Sequence, residues 1–180
     1  MKIHVLFLLM LLLTSSIYCQ ATASATSAAP EMKKMDFLVG QWQGEGWMMF
    51  GPSDRRTFRQ TETVQSKVAG TVLVIEGLGK GKIANKGEEV TIHSAFAVIS
   101  FDKDANVYRW RAFKADGTSF DVVPQVMENS IVWGFKDVRA GDIRFTIKLN
   151  EKGQWVEIGE ISRDSKTWNK FFEMILNRVS

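Results

Sequence analysis

From Gly40 to Val179 the chain alternates apolar and polar residues with a period of two, broken only by short clusters of turn-forming residues. A period of two is the signature of half-buried strands, and it leaves little room for helices. The segments so patterned are Gln41–Phe50, Arg55–Lys67, Thr71–Leu78, Val90–Phe101, Val107–Lys114, Thr118–Val126, Ile131–Lys136, Asp142–Leu149, Gln154–Ser162 and Trp168–Val179. Links such as Asp116-Gly117, Glu128-Asn129 and Asn150-Glu151-Lys152-Gly153 carry hairpin chemistry. Strands joined at hairpin length cannot make parallel crossovers, so the expected fold is all-β: a single antiparallel meander of about ten strands. Closing it into a barrel removes the edges that an open sheet would expose. One link, Gly79 to Glu89, is longer and rich in glycine and lysine. It fits neither phosphate-binding glycine pattern and reads as a hairpin loop.

The N-terminus follows a different logic. Lys2 and His4 precede the apolar run Val5–Leu13, and Ala21-Thr22-Ala23 and Ala23-Ser24-Ala25 are overlapping A-x-A sites. This is the pattern of a secretory signal peptide over residues 1–25, too short to span a bilayer. Residues 26–31 then form a linker, and residues 32–180 the barrel domain. Export implies a periplasmic or extracellular protein. Anchoring through Cys19 is not expected, because Tyr18 is too bulky for a lipoprotein cleavage site. Met32, Met35 and Leu38 recur at helical spacing, so Glu31–Leu38 should form a short helix. Laid across one mouth, it would bring Met32, Met35 and Phe37 against the barrel.

Residue counts remove several chemistries. Cys19, the one cysteine, falls in the signal peptide, so the mature chain has no thiolate nucleophile and no cysteine-held metal. Of two histidines only His93 lies beyond that peptide, and no multi-histidine metal site can form. The formal net charge is +3, from 23 basic and 20 acidic residues scattered mostly near turns. Without a basic stripe, that surface is solvated mixed charge and no nucleic-acid partner is expected.

Three segments carry a resemblance. Phe37-Leu38-Val39-Gly40-Gln41-Trp42-Gln43-Gly44-Glu45-Gly46 resembles the F-L-x-G-x-W-x-G-x-G opening of the nitrobindin and fatty-acid-binding-protein-like branch of the calycins. Gly70–Gly77 and Trp168–Arg178 are similar to two later strands of an uncharacterised bacterial family of that barrel type. The resemblance implies a calycin, lipocalin-like barrel whose Trp42 plugs the base beneath a basic residue of the last strand. Arg178 has the right parity for that role. Nitrobindins hold haem through a histidine near the C-terminus, but Trp168 to Ser180 contains none, so neither haem nor another cofactor is expected.

An eight-stranded barrel is about filled by side chains, and ten strands leave a larger bore. The residues that sit oddly beside such an apolar interior are the candidate site. Glu76 ends the run Val72-Leu73-Val74-Ile75, where a buried carboxylate would need a partner. His93 shares a strand face with Ala95, Ala97 and Ile99, small neighbours that leave space beside an imidazole. Glu62 falls between Phe58 and Val64, and Arg111 shares a face with Arg109 and Phe113. Gathered inside, Glu62, Glu76, His93 and Arg111 would orient the polar end of a small apolar or amphipathic ligand. Each has a plainer reading as an outward residue or a satisfied core group, strongest for the arginines. The alternative function is an isomerase or hydrolase with Glu76 and His93 as acid and base.

Overall fold

The alternating segments pair into one continuous antiparallel sheet in the computed structural model, which describes residues 30–82 and 87–179. The expected signal peptide and most of the linker lie outside the described residues. The strands are β1 (Gly40–Gly51), β2 (Asp54–Lys67), β3 (Val72–Lys82), β4 (Glu89–Asp102) and β5 (Val107–Lys114). They continue as β6 (Ser119–Val122), β7 (Gln125–Met127), β8 (Ser130–Asp137), β9 (Gly141–Leu149), β10 (Trp155–Ser162) and β11 (Asn169–Arg178). Nearly every strand pairs with its neighbour in the chain, and β1 also pairs with β11, placing Trp42 opposite Arg178.

The sheet therefore curls back on itself, but its hydrogen bonds stop short of a closed ring. Its two edges are β6 and β7, which follow each other in the chain. The sequence reads Thr118–Val126 as one strand, and the structure splits it at Val123-Pro124. Pro124 has no N–H to give a ladder, so the chain leaves β5 after β6 and joins β8 as β7. The result is an eleven-stranded half-barrel. Side chains nevertheless meet between its ends: Trp110 stacks on Trp133 at 5.2 Å and Phe120 on Phe135 at 4.6 Å, centroid to centroid.

A second difference lies in β3, which takes in Gly79-Lys80-Gly81-Lys82, a run whose composition reads as loop. The two glycines of this run face inward and the two lysines face solvent. That is strand alternation with the inward side chains removed. Residues 83–86, the middle of the expected loop, lie outside the described residues.

One end of the half-barrel is plugged. Helix α1 (Pro30–Lys33) leads into a 3-10 turn at Asp36–Leu38, and Met32, Met35 and Leu38 are buried against the sheet as their spacing predicts. The Tyr108 hydroxyl donates to the Glu31 carbonyl at 2.8 Å. Trp42 is buried, and its Nε1–H donates to the Leu38 carbonyl at 2.7 Å. The Arg178 guanidinium lies 4.1 Å from the Trp42 ring centroid and donates to the carbonyls of Phe37 (2.7 Å) and Val39. A cation held over an indole is worth about 0.5–2 kcal/mol. Here it also ties the last strand to the segment that precedes the first. No helix among the described residues is long and apolar enough to cross a membrane.

Candidate functional site

Away from this plug the interior is open. A cavity of about 600 Å³ runs inward from the end that carries the β1–β2 and β3–β4 connections. Its walls are mainly aromatic. Phe58 and Phe172 stack at 5.6 Å, and Phe145 lies flat on Trp133 at 4.6 Å. Trp110 and Trp155 complete the lining, and the small side chains Ala95 and Ala97 of β4 leave the space unfilled. The Nε1–H groups of Trp110, Trp133 and Trp155 are buried without an acceptor. The cavity thus meets ring surface there rather than open donors.

The polar part of the cavity comes from β2 and β10. Gln60, Glu62 and Glu157 are 3%, 7% and 8% exposed. Gln60 Nε2 donates to Glu62 Oε1 at 2.7 Å. Backbone at β3 makes room for both side chains. A Cβ at Gly77 would stand 2.8 Å from both Glu62 carboxyl oxygens, and one at Gly79 would stand 2.6 Å from Gln60 Oε1. Any other residue at these two positions would displace the polar pair.

Burial pushes the Glu62 carboxyl up to about 7, against the hydrogen bond from Gln60, which favours the ionised form. Burial likewise pushes Glu157 up to about 8, and the charge of Glu62 adds to the shift. The Trp155 indole opposes it slightly, without a hydrogen bond of good geometry. Glu157 thus holds its proton more tightly while Glu62 is charged.

The structure separates the four residues singled out from the sequence. Glu62 faces the cavity. His93 reaches its mouth, where it is exposed on one side, and partial burial, then the nearby Lys114, lowers its pKa. Glu76 and Arg111 do not join them. Glu76 lies on the outer face between Thr63 and Phe96, and Arg111 is outside too, paired with Asp121 at 3.1 Å. The expected cluster of Glu62, Glu76, His93 and Arg111 is therefore not assembled, and neither is the Glu76–His93 acid–base pair. In β3 both faces read apolar, so alternation put Glu76 with Val72 and Val74 without telling which face was inside. The inner face is Leu73, Ile75 and the glycines.

Glu157 is the residue that sequence reasoning missed. It shares parity with the buried Trp155 and with Gly159, the kind of signal that drew attention to Glu76. Among the described residues, no three histidine, cysteine or acidic side chains come together in a way that could hold a metal ion.

No family model matches this sequence, and no curated protein matches it. Among solved structures it is similar to Rv2717c from M. tuberculosis, with a TM-score of 0.61 and 11% sequence identity. The match covers 86% of this chain and all of the other. At that identity the likeness shows the fold alone.

Proposed function

We propose that this chain is an exported binding protein of calycin type, which holds a small, mainly apolar molecule inside the curled sheet. The observation that carries the reading is the cavity of about 600 Å³, walled by aromatic rings and entered from one end of a sheet plugged at the other. That size and composition are those of a small-molecule site, with few polar groups to fix orientation. The polar end of the ligand meets Glu62 and Glu157, with Gln60 beside Glu62 on the side of the mouth, and His93 stands at the entrance. In this reading the aromatic stacks between β5 or β6 and β8 do the work of the missing hydrogen bonds and complete the barrel. The signal-peptide pattern supports export to the periplasm or beyond the cell, where apolar molecules need carriers.

The test fills the cavity. Ala97→Trp and Ala95→Trp should each abolish uptake of a neutral environment-sensitive dye such as N-phenyl-1-naphthylamine, with circular dichroism unchanged. Unchanged dye affinity in both folded variants would overturn the reading.

A further inference from the structure

The carboxyls inside the cavity have no cation of their own. Among the described residues neither Glu62 nor Glu157 has a basic nitrogen within 4.0 Å, although eight other ion pairs form. Glu157 is more than nine-tenths buried and faces the cavity, and the donor that acts on it, the Trp155 indole, is uncharged and makes no hydrogen bond of ordinary geometry. The bases that line the same cavity, Arg56, Lys82 and Lys114, are at the mouth with His93 and Asp116. Two of them are already engaged: Arg56 with Asp54 at 2.6 Å and Lys114 with Asp116 at 3.2 Å. Beside the carboxyls stand the Gln60 amide, which donates to Glu62 at 2.7 Å, the Trp155 indole, Met174, Ile147 and the bare backbone of Gly77, none of them charged.

Buried charge is tolerated when it is paired, and the negative faces of aromatic rings favour cations over anions. A ligand carboxylate placed beside Glu62 and Glu157 would meet two acids and no base. A neutral ligand would leave the acids to keep their protons. An ammonium group would supply the absent partner and take a place against the rings. We infer that the cavity is built for an organic cation: an amine on an apolar body, its ammonium group between Glu62 and Glu157. This rests on the binding reading above and narrows its ligand to one chemical class. On binding, the ammonium takes the place of one proton on a carboxyl that is still protonated, so uptake and proton release are linked.

Competition against N-phenyl-1-naphthylamine with three ligands of equal chain length tests this: decylamine, decan-1-ol and decanoate, at pH 7. Decylamine should bind at least tenfold more tightly than decan-1-ol, with decanoate weakest. Glu62→Gln and Glu157→Gln should each reduce that advantage of decylamine over decan-1-ol several-fold. Calorimetry in buffers of different ionisation enthalpy should detect protons released by decylamine and not by decan-1-ol. A His93→Gln background removes the one histidine at the mouth from that count. Decan-1-ol or decanoate matching decylamine, or an advantage that survives in both glutamine variants, would overturn the inference and leave the binding reading in place. A protein that takes up the dye but none of the three ligands would also overturn it. A protein that takes up neither dye nor ligand would remove the binding reading itself.

Discussion

At the residue scale, burial sets the behaviour of Glu62 and Glu157 with pH. The folded chain holds protons on these carboxyls up to about pH 7 and 8, whereas the unfolded chain releases them near 4.5. Their contribution to stability is therefore fully present below about pH 4.5 and is lost as pH rises from there through 7 and 8. His93 acts in the opposite sense, because its lowered pKa costs stability as the solution is acidified below 6.5. Chemical denaturation of the ligand-free protein from pH 5 to 9 separates the two. Glu157→Gln should flatten the fall on the alkaline side and leave the His93 effect intact, and parallel curves for variant and wild type would refute the assignment. Arg178 makes a separate prediction. Arg178→Ala removes the stack on Trp42 and two hydrogen bonds to backbone carbonyls, and should cost about 1–3 kcal/mol. Arg178→Lys keeps the charge but not the planar fork, so it should recover only part of the loss in urea unfolding.

At the element scale, β3 shows how one strand shapes a site through what it lacks. Gly77 and Gly79 give their inward positions to the side chains of Glu62 and Gln60 from β2. Gly77→Ala places a methyl group 2.8 Å from the Glu62 oxygens, so it should destabilise by roughly 1–3 kcal/mol, as overpacking does. The loss should shrink in a Glu62→Ala background, and a double-mutant cycle with no coupling would show that the two do not share this space. The glycines from Gly79 on are plain in the sequence but look like a loop, because a glycine-lysine run carries no apolar beat to mark a strand. The break between β6 and β7 has a similar origin. Pro124 is equally legible, but whether it bends a strand or ends a sheet depends on which neighbours the two halves find.

At the scale of the whole molecule, the chain offers a bore with no C-terminal histidine to hold a haem. Added haem should give no stoichiometric Soret band, and a sharp band abolished by His93→Ala would contradict that expectation. The all-β class, the antiparallel meander and the buried Met32-Met35-Leu38 spacing were decided by sequence. Each rests on local periodicity, which the covalent chain carries by itself, whereas the Trp42–Arg178 pairing was expected from the resemblance, with parity along the last strand selecting Arg178. The inward face of β3, the company of Glu62 and the place of Glu157 were decided only by tertiary structure. Glu62 and Glu157 lie on β2 and β10, which do not pair with each other, and they face one cavity only because β1 and β11 join the two ends of the meander. Periodicity records that a residue shares a face with its second neighbour. Which face becomes the interior, and which side chains meet across it, follows from the curl of the whole sheet.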